Sequence, residues 1–157
     1  MIKPFSTQHE YTLVFSGDPS LSLPEDAEEK ALALKNARDT GDWSKIMSPS
    51  GDPPTRFHCA PISRSQRDWI IGEVSHSAVL DRPLSAVEMD ALVIRVALRR
   101  VDGFGSHKVE RVQYRPHGHW LAKPEILDAI HDEAGQDVIP ELAGAIWERT
   151  TNPIRPL

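Results

Sequence analysis

The sequence contains a single cysteine, Cys59, and no long apolar run. One cysteine excludes an intramolecular disulfide and a zinc site built from cysteines alone. The densest apolar stretch, residues 91–98, is interrupted by Arg95 and is much shorter than the ~18 residues of a membrane span. The first four residues, Met1-Ile2-Lys3-Pro4, lack the apolar segment of a signal peptide. We therefore expect a protein without a membrane span or a secretory leader.

The sequence also lacks an excess of positive charge. Lysine and arginine total 18 against 23 aspartate and glutamate residues, which gives a formal net charge of −5. The densest basic group is Arg95, Arg99 and Arg100, which we predict to lie on one helix. Acidic residues are interleaved with this group: Glu88, Asp90 and Asp102. A nucleic-acid interface needs a concentrated basic surface, because neutralising phosphates supplies much of its affinity. Nucleic acid is therefore an unlikely partner on charge alone.

The composition is that of an ordinary folded domain. Of the 157 residues, 39% are hydrophobic and 26% are charged. A chain of this length buries about 70% of its unfolded surface, so one core forms without disulfides or metal. Thirteen prolines outnumber nine glycines and divide the chain. We predict three parts: an N-terminal segment over residues 1–50, a main α+β core over 51–149 and an extended tail over 150–157.

Short β-strands are predicted where apolar and β-branched residues alternate with polar ones, in residues 11–15, 55–60 and 109–114. The second of these segments carries the clearest pattern. Phe57 and Cys59 fall on one face, while Arg56 and His58 fall on the other, which is typical of a half-buried strand. The sequence therefore predicts a small sheet of two or three strands.

An alanine-rich helix is predicted between Pro24 and Gly41. Its first turn is acidic, as the helix dipole favours, and glycine is a common stop signal. The helix has few large apolar side chains. We therefore expect it to pack lightly on its own chain or to lie on a neighbouring molecule.

Two further helices begin at capping boxes, formed by Ser63 with Gln66 and by Ser85 with Glu88. Apolar residues at helical spacing extend the second helix to Val101, where Gly103 ends it. The short link between the two helices predicts antiparallel neighbours. A second pair is expected from Pro124 onward and over residues 138–148. The predicted fold is α+β, with a mainly helical core of two antiparallel helix pairs, a small sheet and extended terminal arms.

The most metal-like feature is the pair His117 and His119, because two imidazoles one residue apart can share a cation. A third ligand would have to come from His107, His58 or Cys59. Histidines at this spacing are frequent by chance, and a polar turn before a helix explains the pair equally well. The pair is therefore a weak metal candidate, and we predict no metal and no cofactor.

Cys59 is the strongest candidate nucleophile, with His58 or His76 as its base. The alternative is a small buried apolar residue on the same face as Phe57, which is the common fate of a lone cysteine. The sequence contains no nucleophile-elbow, metalloprotease or Walker motif. We predict no catalytic residue and a protein that is not an enzyme.

Contacts with other molecules are predicted at side chains near the ends of elements and in the tail: Trp43, Trp147, Ile154, Pro156 and Arg95. Tryptophan rings at such places often anchor interfaces. Arg95 lies on an apolar helix, so it extends to solvent or pairs with Glu88 or with a partner's carboxylate. The terminal arms, residues 1–10 and 150–157, are expected to clasp neighbouring subunits.

The order of features from Pro54 onward resembles a known class of proteins. A strand around Thr55-Arg56-Phe57 is followed by the phrase Ala60-Pro61-Ile62-Ser63 and by two helices. A glycine-rich loop ends the stretch 96–105, and the segment 140–146 falls in a C-terminal helix pair. This order resembles small virion accessory proteins of tailed bacteriophages, of the tail-assembly-chaperone-like type.

The resemblance implies a non-enzymatic bacteriophage structural or accessory protein, ordered by multi-copy assembly at the head, neck or tail. Its partners would be copies of itself and other virion proteins, and its location would be the virion, assembled in the host cytoplasm. Three alternatives stay open: a tail-assembly chaperone, a small metal-dependent phage enzyme, and a regulatory protein directed at the host.

Overall fold

The computed structural model describes residues 10–48, 53–79, 84–103, 109–114 and 118–151. These residues form five α-helices and five β-strands, which confirms the α+β class. The strands are β1 (Tyr11–Leu13), β2 (Arg56–Cys59), β3 (Leu98–Asp102), β4 (Arg111–Gln113) and β5 (Trp120–Ala122). The helices are α1 (Ala27–Thr40), α2 (Arg64–Val79), α3 (Ala86–Ala97), α4 (Glu125–Ala134) and α5 (Val138–Thr151). A short 3-10 helix covers Ser44–Ile46.

The main sheet is antiparallel, with strand order β1-β2-β3. Phe57 on the central strand stands between Leu13 and Val101 in the register, and its side chain is fully buried. Cys59 is buried as well, whereas Arg56 is exposed. The predicted division of β2 into an apolar and a polar face is therefore confirmed.

The prediction that one helix runs on to Val101 is wrong. The helix ends at Ala97, and the chain continues directly into β3. Leu98 pairs with Cys59 and Arg100 with His58, so Arg99 is an extra residue in the ladder, a β-bulge. The bulge brings Leu98 and Val101 to the buried face together. Leu98 and Val101 are three residues apart, a spacing that is typical of one face of a helix. Here the spacing comes from a strand with one inserted residue.

The predicted strand in 109–114 exists as β4, but it pairs with β5 in a separate two-stranded sheet. Leu121 and Ala122 of β5 are buried, whereas Trp120 is 52% exposed. Gly118, a typical turn residue, lies in the connection between these strands with φ of 71°, and β5 begins at Trp120 itself.

Helix α3 packs most extensively against α5 and also contacts β5. The predicted neighbours α2 and α3 contact each other, and so do α4 and α5. Both capping boxes form: the Ser63 and Ser85 hydroxyls each accept the backbone N–H three residues later. The α5 helix continues through Thr151, so the prediction that the tail is non-helical from residue 150 is wrong for its first two residues. Residues 152–157 lie outside the described residues.

A second, smaller apolar cluster lies under α1. It contains Val14, Ala37, Trp43 and Ile46, and Ala37 is the only residue of α1 that is buried. The predicted light packing of this helix on its own chain is confirmed. Trp43, predicted as an interface anchor, is only 7% exposed and fills this cluster, so it has little surface to offer a partner.

Candidate functional site

The weak metal candidates do not form a site in the described part of the chain. His117 lies outside the described residues, as does His107. The ring of His119 lies beside that of Trp69, with 5.5 Å between ring centroids. Within the described ranges, no three His, Cys, Asp or Glu side chains converge on a point that could hold a metal ion.

Cys59 lies in the main core and is 1% exposed. Burial raises the pKa of its thiol to about 12, so the thiolate that a nucleophile requires is scarce at neutral pH. His58, the proposed base, precedes it on the strand and belongs to the opposite face, and His76 is exposed on α2. This geometry favours the buried apolar residue over the nucleophile.

Thiol reagents test this assignment of Cys59. We expect Ellman's reagent to leave the native protein unmodified and to label one thiol per chain rapidly after unfolding in urea. The physical reason is that the buried thiol reacts only through an opening of the core. Rapid stoichiometric labelling of the native protein would contradict this placement.

The polar face of the main sheet carries a network across three strands. The Thr12 hydroxyl lies 3.1 Å from Nδ1 of His58, and Nε2 of His58 lies 2.8 Å from Oδ2 of Asp102. Arg100 is also within 3.3 Å of the Asp102 carboxylate. The hydrogen bond from His58, together with the nearby arginines, lowers the pKa of Asp102. The network orders the outer face of β1, β2 and β3.

Arg95, predicted to extend to solvent or to pair with Glu88 or with a partner's carboxylate, is partly buried and forms no ion pair with Glu88 in the described part of the chain. Its Nε donates to the carbonyl of Ala122 at 2.8 Å, and its Nη2 donates to the Tyr114 hydroxyl. Its guanidinium also lies 5.4 Å from the centre of the Tyr114 ring. The side chain of Glu88 is engaged in the capping box of α3. Arg95 therefore joins α3 to the β4–β5 hairpin.

Two of the other predicted interface residues, Ile154 and Pro156, lie outside the described residues. Trp147 is partly buried and packs against the main core from α5. The large apolar side chains that are most exposed lie elsewhere: Leu32 on α1, Val87 on α3 and Trp120 on β5. Leu32 and Val87 were not predicted as contacts.

An open cleft of about 420 Å³ lies between the N-terminus of α2 and the β4–β5 hairpin. We call it the arginine cleft, because two arginines line it. Its walls include Ser63, Ser65, Arg99, Arg111, His119 and Trp120. The β-bulge places Arg99 here, since it interrupts the alternation of side chains along β3.

Arg111 binds the carbonyl groups at the end of α3. Its Nη1 donates to Arg95 and Leu98 carbonyls at 3.1 and 2.7 Å, and its Nη2 donates to those of Val96 and Trp120 at 3.0 and 2.7 Å. The last carbonyls of a helix lack intrahelical donors and carry partial negative charge. Arg111 therefore caps the C-terminus of α3 and ties it to β5.

Arg99 lies beside Arg111. Its Nη1 donates to the Val96 carbonyl at 2.8 Å, the same oxygen that accepts from Arg111, and contacts the Ala97 carbonyl at 3.3 Å. Burial, together with the charge of Arg99, lowers the pKa of Arg111 to about 10. Burial also lowers the pKa of Arg99. Both guanidinium groups nevertheless remain charged at neutral pH.

No described aspartate or glutamate forms an ion pair with Arg99 or Arg111. The sequence did not reveal this site. Arg99 was placed on the polar face of a helix, and Arg111 was one of several polar residues in a weak strand. Their meeting depends on the bulge and on the hairpin, for which the sequence carries no distinct signal.

A second cleft, of about 200 Å³, lies between α1 and α5. Its lining contains both signs of charge: Lys35, Arg38 and Arg149 with Asp39 and Glu148. The guanidinium of Arg149 also lies 4.3 Å from the centre of the Tyr11 ring. Because its charges are mixed, this cleft selects for an anion or a cation less clearly than the arginine cleft does.

Among the described residues, every helix is too short or too polar to span a membrane. No protein-family model, no curated protein and no solved structure matches this chain.

Proposed function

We propose that this chain is a non-enzymatic structural or accessory protein of a bacteriophage particle. In this proposal it is present in several copies and binds copies of itself and other virion proteins, after assembly in the host cytoplasm. The resemblance of the segment from Pro54 onward to virion accessory proteins supports the proposal from the sequence.

The packing of α1 carries the proposal in the structure. This helix of 14 residues buries only Ala37 and leaves Leu32 59% exposed. A helix of this length is marginal by itself, and most helical stability comes from packing an apolar face. Arg38 Nε on this helix and Trp43 Nε1 in the cluster below it are buried with no hydrogen-bond partner among the described atoms. A neighbouring subunit that covers Leu32 would stabilise this weakly held region.

Self-association tests the role of α1. We expect native mass spectrometry of the full chain to show oligomers, and Leu32→Gln to shift the distribution toward the monomer by removing apolar contact area. Lys30→Gln is the matched control, because residue 30 is exposed and lies about 200° around the helix from residue 32. A native chain that stays monomeric at all concentrations would contradict a multi-copy assembly.

Mass spectrometry of purified phage particles tests the proposed location. We expect the chain at a fixed ratio to the major capsid protein. Its presence in the infected cell but absence from the particles would overturn the structural role and favour a tail-assembly chaperone.

A further inference from the structure

We propose that the arginine cleft binds a phosphate group, either as the free ion or as a phosphate ester of a small molecule, with Arg99 and Arg111 as its main anchors. The proposal concerns a small ligand and does not depend on the assembly proposed above.

The first argument is that the two guanidinium groups lie close together and have donors that no described group uses. They share the Val96 carbonyl oxygen, at 2.8 and 3.0 Å, so two positive charges are held close together. Within the described part of the chain, Nε and Nη2 of Arg99 have no hydrogen-bond partner, and neither does Nε of Arg111. No described carboxylate forms an ion pair with either side chain, and the charge of Glu10 only partly counters the lowering of the Arg99 pKa by burial. An anion in the cleft would offset the repulsion and use the remaining donors.

The N-terminus of α2, which also lines the cleft, offers further donors. This helix has 16 residues, Ser63 is its capping residue and Ser65 lies in its first turn. The Ser63 hydroxyl accepts the N–H of Gln66, whereas the earlier N–H groups of the first turn have no intrahelical acceptor. These groups and the helix dipole favour an anion at this end.

The arrangement of donors favours phosphate over carboxylate. The cleft is lined both by the arginines of β3 and β4 and by Ser63 and Ser65 at the N-terminus of α2. A tetrahedral phosphate has oxygens for several donor groups at once, whereas a planar carboxylate has two oxygens that one arginine can satisfy alone. The lining residues include no aspartate or glutamate among the described positions, so no side chain there competes for the donors.

Isothermal titration of the full chain with inorganic phosphate tests the proposal. We expect saturable 1:1 binding that Arg99→Gln weakens about tenfold or more, the effect of losing one charge-assisted hydrogen bond. Arg100→Gln is the matched control: it removes the same charge from the next residue, which is exposed and pairs with Asp102 instead. We expect its affinity to stay within about twofold of the native value. No saturable binding, or equal weakening in both variants, would overturn the proposal.

A second variant keeps the proposal testable if Arg99→Gln does not fold. Ser65→Asp places a carboxylate among the cleft donors, at a first-turn position where acidic residues suit a helix. We expect this variant to have a higher melting temperature and to lose phosphate binding; unchanged binding would overturn the proposal.

Parallel titrations distinguish the ligand sources. If glycerol phosphate binds more tightly than inorganic phosphate, the ligand is a phosphate ester. If inorganic phosphate binds more tightly, the ligand is the free ion. Acetate that binds as tightly as phosphate would overturn the choice of phosphate.

Discussion

The Phe57→Ala variant is expected to lose about 4 kcal/mol of the free energy of unfolding, because truncation of a buried phenylalanine removes apolar burial and leaves a cavity. Phe57 is fully buried on the central strand of the main sheet, between Leu13 and Val101. Domains of this kind are stable by about 5–15 kcal/mol, so the loss is a large fraction of the total. Urea denaturation followed by circular dichroism measures it.

Two controls separate the cavity from a general effect of substitution. Phe57→Leu keeps most of the volume and is expected to cost less than about 1.5 kcal/mol. Val87→Ala, at an exposed position on α3, should stay within about 0.5 kcal/mol of the native protein. A Phe57→Ala variant as stable as the Val87→Ala variant would show that β2 is not the centre of the core.

The second large effect is expected for Arg111→Met, which should lose about 3 kcal/mol of the free energy of unfolding. The methionine retains apolar bulk but cannot donate to the carbonyls of Arg95, Val96, Leu98 and Trp120. The carbonyls of Arg95 and Leu98 would lose these donors at the negative end of α3, while that of Val96 keeps the one from Arg99. Hydrogen exchange should also become faster in the β4–β5 hairpin, since Arg111 ties that hairpin to α3.

The geometry of the guanidinium, and not only its charge, accounts for this expectation. Arg111→Lys keeps the charge, but one ammonium group cannot reach four carbonyls, so we expect an intermediate loss. Arg100→Met removes an exposed arginine paired with Asp102 and should cost less than about 1 kcal/mol. Equal stability of the Arg111→Met and Arg100→Met variants would contradict the capping role.

Local signals in the sequence predicted the elements whose causes are local. The capping boxes at Ser63 and Ser85 form because hydroxyl and backbone N–H lie within one turn. Gly41 ends α1 in a left-handed conformation, with φ of 74°, which glycine adopts without strain. The alternation in β2 predicted which of its residues are buried, because strand side chains point to opposite faces in turn.

The arginine cleft could not be predicted in the same way. Arg99 reaches it only because one extra residue enters the ladder between β2 and β3. Arg111 reaches it only because β4 pairs with β5 and the hairpin lies against the end of α3. Both causes join residues that are distant in sequence, and a periodicity taken along one segment carries no information about them.

By itself, the sequence determined the α+β class, the starts of α2 and α3, the end of α1, its light packing and the buried face of β2. These features follow from propensity, capping and periodicity within a few residues. Only the tertiary structure decided that Leu98 begins a strand, that Trp43 is buried, that Arg95 binds the hairpin and that Arg99 meets Arg111. The physical reason is that each depends on hydrogen bonds or burial supplied by another segment, which overrides the local preference of the residues involved.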